Sequence, residues 1–172
     1  MTNKAFFLDR DGIINYPIFR GISPKPIAPW TIEEFNLIPG LGNILTELKK
    51  NGFYIFVVTN QPDISKGIID IELINKMNKI ILDKYPINEI LFCPHTDDDN
   101  CLCRKPKPGM ILSLIKKYKI NVKNSYILGD NFKDIEAGKA AGLKTILLNR
   151  FYNKNYISDF KINEFSEIMN LI

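Results

Sequence analysis

The stretch FFLDRDG sets Asp9 and Asp11 two residues apart where an apolar run ends. In extended backbone, residues i and i+2 project to the same side, so the two carboxyls would lie close together. Two such acids do not both ionise comfortably without a cation. One can then stay charged and attack while the other carries a proton. Gly12 lets the chain turn sharply afterwards. Further on, VVTNQ supplies the Thr59 hydroxyl and the Asn60 and Gln61 amides, and LGDNFKD supplies Asp130 with Asp134 one helical turn later. Singly, each has an ordinary reading, as solvated acids or as caps of loops and helices. In this order, each after an apolar run, they point to one site.

A second constellation is CPHTDDDNCLC, residues 93–103, which holds all three cysteines and the only histidine. An odd cysteine count argues against a closed disulfide framework and for a reducing compartment. Cys93, His95, Cys101 and Cys103 offer three thiolates and an imidazole, a full tetrahedral Zn²⁺ set. Four protein ligands leave no open position, so such a zinc would be structural. A redox CxC pair would leave Cys93 and His95 unexplained. Asp97, Asp98 and Asp99 are expected at the solvated tip of the zinc loop, not as a calcium site, since thiolates prefer softer ions. Arg104 and Lys105 follow Cys103 directly, so zinc would fix the backbone that aims both cations. The planar fork of Arg104 suits a second phosphate or carboxylate; the plainer alternative is a surface salt bridge.

These residues need elements to gather them. AFFLD, FYIFVVTN, EILFC, SYILGD and KTILLN are short apolar runs ending in polar residues, the pattern of parallel strands buried on both faces. Between them GLGNILTELKKNG, DIELINKMNKIILDKY with Asp70 as cap, PGMILSLIKKYK opening on Pro108, and DIEAGKAAG read as helices. INEFSEIMNLI reads as a last helix on the sheet. Alternating strands and helices predict an α/β, Rossmann-like domain with a mainly parallel central sheet flanked by helices. Ligands bind beyond the carboxyl ends of such strands, and that is where the polar run ends fall. Residues 16–31 carry four of the ten prolines and read as an ordered loop over the site, because Ile18, Phe19 and Trp30 are too apolar for a free linker.

The 172 residues, 45% apolar, suit one domain, 1–172, with no room between Asp11 and Thr59 for a large cap domain. The net charge of +4 from scattered lysines suits an anionic small molecule better than nucleic acid, which would need a basic track with stacking aromatics. No signal peptide or membrane-spanning run is expected. A cytoplasmic monomer is the expectation.

Together, Asp9-Arg10-Asp11-Gly12, Thr59-Asn60-Gln61, Lys105 and Gly129-Asp130 through Asp134 resemble the motifs of the haloacid-dehalogenase-like phosphatases. LDRDGIIN, VVTNQ, the CPH…CxCRKPKPGM loop and GDNFKDIEAGKAAG look like the branch that holds heptose-bisphosphate and histidinol phosphatases. The likeness spans roughly Phe6 to Leu148. It implies that Asp9 attacks phosphorus to form an aspartyl-phosphate and that Asp11 acts as acid, then base. Mg²⁺ would be held by Asp9, Asp130 and the carbonyl of Asp11, and Thr59 and Lys105 would hold the phosphoryl oxygens. Asp134 would orient metal waters or Lys105. Asn60, Gln61, Arg104 and Asn131 are the implied substrate contacts, Asn131 being equally readable as a helix cap. The implied substrate is a small phosphorylated metabolite. D-glycero-D-manno-heptose 1,7-bisphosphate losing its 7-phosphate, a step of bacterial surface-heptose synthesis, comes first and histidinol phosphate second. A nucleic-acid end phosphatase and a non-catalytic zinc module are remoter. Pro62, Asp63 and residues 16–30 depart from the family pattern and bear on substrate identity.

Overall fold

The computed structural model describes residues 3–22 and 25–172; Ser23 and Pro24 of the proline-rich loop lie outside the described residues. Six strands form one parallel sheet: β1 (Lys4–Leu8), β2 (Phe53–Asn60), β3 (Glu89–Cys93), β4 (Tyr126–Gly129), β5 (Lys144–Leu148) and β6 (Phe160–Ile162), in the order β3-β2-β1-β4-β5-β6. The helices are α1 (Leu41–Lys50), α2 (Ile71–Lys84), α3 (Gly109–Tyr118) and α4 (Phe132–Ala140). This is the expected single α/β domain. No helix among the described residues is long and apolar enough to cross a membrane.

Alternation along β1 divides the core. Phe6 and Leu8 point into a layer with Leu41, Leu45, Leu48, Ile74, Met77 and Ile81 of α1 and α2. Ala5 and Phe7 point the other way, against Met110, Ile111 and Leu114 of α3 and Ala137 of α4. Both layers are buried, so the central strands read as unbroken apolar runs. Asp70 caps α2 through Leu73 N–H at 2.7 Å, as its position predicts. Pro108 sits one residue earlier than expected, at the cap of α3 and not inside its first turn.

Two features of the C-terminal part differ from expectation. A sixth strand precedes the last turn, and that turn, Phe165–Asn170, is a 3₁₀ helix and not an α-helix. Phe165 and Ile168 are buried and Leu171 packs beside them, a spacing of three that matches the tighter 3₁₀ pitch.

Helix α4 packs closely on the sheet. A Cβ at Gly138 would meet Ile127 Cγ2 at 2.3 Å and Thr145 Cγ2 at 3.0 Å. Both methyls are buried and branched and cannot move aside. Gly138→Ala is therefore expected to destabilise by about 2 kcal/mol, an overpacking cost near the upper end of the usual range less the helix preference of alanine. Urea unfolding measures this; an equally or more stable variant would refute the close packing.

Candidate active site

The polar run ends meet at the carboxyl edge of the sheet. Asp9 follows β1, Thr59 and Asn60 end β2, and Asp130 follows β4. They line a cavity of about 240 Å³ with Asp11, Arg104, Lys105, Asn131, Lys133 and Asp134. Pro17, Pro26, Ile27 and Ala28 of the proline-rich loop form part of its wall. The loop therefore covers the site where it is described. Backbone bonds between Ile18 and Ile27 at 2.9 Å brace it. Trp30 Nε1–H donates to Asp63 Oδ2 at 2.9 Å, and the Arg20 guanidinium lies 4.0 Å from the indole ring.

Asp9, Asp130 and Asp134 each offer a carboxylate oxygen within 4.8 Å of the others. Burial and then Asp134 raise Asp9 well above the ordinary carboxylate range, with Lys105 pulling the other way. Burial and then Asp134 also push Asp130 up to about 7. Buried acids in this state call for a cation, and an all-oxygen donor set suits a hard one such as Mg²⁺. Gly12 makes the approach possible. With φ +95°, it lets the loop pass so near Asp130 that a Cβ there would fall 2.0 Å from Oδ2.

Lys105 is almost wholly buried. Its ammonium donates to Asp9 Oδ1 at 2.8 Å, Asp134 Oδ1 at 2.5 Å and the Val58 carbonyl at 2.7 Å. Burial alone would lower its pKa, but Asp134 and Asp9 raise it above the ordinary value, so it stays cationic. Asp134 thus orients Lys105, one of the two roles foreseen for it. Its other oxygen accepts Asn131 N–H at 3.1 Å.

Asp11 is gripped differently. Gln61 Nε2 donates to it at 2.7 Å, Asn15 Nδ2 at 2.9 Å, and the buried Arg10 guanidinium lies 3.2–3.3 Å from its oxygens. Gln61 was expected to touch substrate. It is fully buried, bonds Asp11 and Thr59 Oγ1, and does not line the cavity. Asn60 does line it, yet both ends of its amide hold the backbone of Lys105, at 2.9 and 3.0 Å. Asn131 caps α4 by accepting Lys133 N–H at 3.1 Å, which is the helix-cap alternative, while remaining on the cavity wall.

The cysteines and histidine converge as the spacing suggests. The sulfurs of Cys93, Cys101 and Cys103 lie 3.1–3.6 Å apart, and His95 Nδ1 is 3.6 and 3.4 Å from Cys93 and Cys103. A tetrahedral zinc site would have edges of about 3.8 Å, so the set fits after slight expansion. Burial pushes the Cys93 thiol up to about 12. Although burial opposes it, Cys101 falls to about 6 under the Arg104 N–H and the neighbouring thiols. The acids in this loop are not merely solvated. Asp99 accepts from Thr96 N–H and hydroxyl, and Asp97 pairs with Arg104 at 2.7 Å. Arg104 also donates to the His95 carbonyl at 3.0 Å. It thus makes the salt bridge while still lining the cavity.

Two contacts on Asp130 escaped the sequence reading. The Tyr152 hydroxyl donates to its Oδ2, and Asn153 Nδ2 donates to its backbone carbonyl at 2.7 Å. Both follow β5 at the same sheet edge, which is the one signal that could have found them.

A family profile described as haloacid dehalogenase-like hydrolase matches residues 28–148. The D-glycero-beta-D-manno-heptose-1,7-bisphosphate 7-phosphatase of Helicobacter pylori is 34% identical, covering 99% of this chain and 98% of that protein. The D-glycero-alpha-D-manno-heptose-1,7-bisphosphate 7-phosphatase of Campylobacter jejuni is 33% identical over 86% of this chain and 83% of its own. Among solved structures, the D,D-heptose 1.7-bisphosphate phosphatase of B. bronchiseptica, complexed with magnesium and phosphate, superposes with a TM-score of 0.82. It shares 21% identity, and the match covers 98% of this chain and 97% of that one.

Proposed function

Since the chain belongs to the haloacid dehalogenase-like hydrolases, we propose that it is a phosphatase that removes the 7-phosphate of D-glycero-D-manno-heptose 1,7-bisphosphate. The observation that carries this reading is the convergence of Asp9, Asp130 and Asp134 beside a small walled cavity, with Lys105 bonded to Asp9 and Asp134. Near full-length relatives named for that reaction support it.

The residues divide the work as follows. The Asp9 carboxylate attacks phosphorus and forms an acyl phosphate, splitting hydrolysis into two displacements. Asp11 protonates the departing alkoxide and then takes a proton from the water that attacks the acyl phosphate. Arg10, Asn15 and Gln61 orient Asp11 for both steps. The Thr59 hydroxyl and Lys105 ammonium bind phosphoryl oxygens, where charge accumulates in transfer. Mg²⁺, held by Asp9, Asp130 and the Asp11 carbonyl, would neutralise phosphoryl charge when bound. Asp134 and Asn60 hold Lys105, and Tyr152 and Asn153 hold Asp130. The zinc set of Cys93, His95, Cys101 and Cys103 fixes the loop that carries Arg104 and Lys105, and Arg104 binds the anionic far end of the substrate.

The test is phosphate release from the heptose bisphosphate beside histidinol phosphate, with and without Mg²⁺. Loss from C7 only in the presence of the ion is expected. Preference for histidinol phosphate, the second reading, would overturn the assignment of substrate.

Metal affinity should also depend on pH with a fixed sign. With Asp130 near 7 in the metal-free protein, ion binding must displace its proton at lower pH. Mg²⁺ should bind about tenfold more weakly at pH 6 than above pH 7.5, by roughly one proton per ion. Calorimetric titration across that range checks this; a flat profile would remove Asp130 from the ligand set.

A further inference from the structure

Charges around the cavity are unevenly matched. Lys66 pairs with Asp63 at 2.8 Å, one against one. Lys105 lies between Asp9 and Asp134, one against two. Arg104 and Lys133 share a single carboxylate, Asp97, at 2.7 and 3.4 Å. Among the described lining residues, this is the one stretch of wall where cations outnumber the acids that pair them. Among the described residues, Asp9 pairs with Lys105 and with neither of these cations. Arg104 leaves the zinc loop and Lys133 belongs to the first turn of α4, so the two cations come from separate elements.

Position matters as much as charge. Arg104 and Lys133 line the cavity, whereas Asp97 does not. Asp97 stands outside with its side chain 70% exposed, while those of Arg104 and Lys133 are 12% and 27% exposed. The carboxylate therefore draws the two cations together from behind. Arg104 Nε and Nη2 and Lys133 Nζ meet Asp97, and Arg104 Nη1 meets the His95 carbonyl. A guanidinium has five donors and an ammonium three, so N–H groups remain on both for a ligand in the cavity. One partly exposed arginine is a weak anion site; two cations fixed side by side form a charge clamp suited to a phosphate.

We infer that Lys133 is a specificity-determining residue that binds, with Arg104, the phosphate the enzyme leaves in place, and that Asp97 is the positioning residue that holds the pair. This rests on the bisphosphate reading above. It assigns to Lys133 and Asp97 a selection between substrates with and without a second phosphate, separate from phosphoryl transfer at Asp9. Asp97 would act with no contact to substrate.

The experiment compares kcat/KM for D-glycero-β-D-manno-heptose 1,7-bisphosphate with that for p-nitrophenyl phosphate, which has no second phosphate. In Lys133→Met the ratio of the two should fall about tenfold, the size of one charge-assisted hydrogen bond at a partly screened site. The fall should appear in KM for the bisphosphate and not in kcat. Asp97→Asn should move the same ratio the same way by about threefold, since a neutral amide holds the cations less firmly. A merely structural role for either residue would depress both substrates together, and that result, or an unchanged ratio, overturns the inference. If wild-type protein hydrolyses the aryl phosphate but not the heptose, the substrate reading fails by itself. Inhibition of aryl phosphate hydrolysis by fructose 1,6-bisphosphate and by fructose 6-phosphate then decides. A preference for the bisphosphate that Lys133→Met abolishes sustains the clamp, and no such preference sinks it.

Discussion

Asp9→Asn is expected to lower turnover by about 10⁴-fold or more, the scale seen when a covalent nucleophile is removed. An amide oxygen is too weakly nucleophilic to displace an alkoxide from phosphorus. The variant should nevertheless fold. Asp9 Oδ1 accepts Arg10 N–H at 2.7 Å and Lys105 Nζ at 2.8 Å, and an asparagine oxygen can accept both. Burial and the neighbouring Asp134 disfavour charge on Asp9, so a neutral replacement also relieves repulsion. Metal-free Asp9→Asn should thus unfold at the same urea concentration as wild type, or a higher one, at pH 7–8. Phosphate release, circular dichroism and urea unfolding form the test. Activity within tenfold of wild type would exclude the covalent route.

Cys101→Ala carries the second large effect. Cys101 is only partly buried, so trimming it costs little packing, and any large loss of stability reports on the metal. Binding free energy at a structural zinc site is folding free energy. The variant should emerge without zinc and be less stable by about 3–5 kcal/mol. Catalysis should fall with it, because the loop ends in Lys105, whose backbone is held from the other side by Asn60. Elemental analysis, urea unfolding and turnover are measured together. Wild-type protein purified under reducing conditions without zinc, yet equally stable, would refute the site.

Much of this molecule is legible in its sequence because both faces of the sheet are covered. Buried strands leave unbroken apolar runs, and each run ends in a polar residue where the strand meets solvent or site. That rule located Asp9, Thr59 and Asp130 and anticipated their meeting. Strand β6 escaped because three residues, FKI, carry no period. The 3₁₀ pitch of Phe165–Asn170 escaped because a short segment spaced by three can pass for a helix of either kind. Contacts across space left no local trace. Near Tyr152 the one hint is the end of β5, and it does not say that the hydroxyl reaches Asp130, 22 positions away. Similarly, Gln61 and Asn60 belong to a recognisable motif, but only the folded chain shows that one turns inward to Asp11 and the other sideways to Lys105. Residue type announced chemistry; direction had to come from packing.

The tether between Trp30 and Asp63 has a practical consequence. Trp30 is the chain's only tryptophan, and its indole N–H bonds a carboxylate on the cavity wall. Indole emission responds to the field and wetting of its immediate surroundings, so the protein carries a native optical reporter at the mouth of its own site. Arrival and departure of ligand can be followed in real time by stopped-flow fluorescence, with no dye attached and no residue altered.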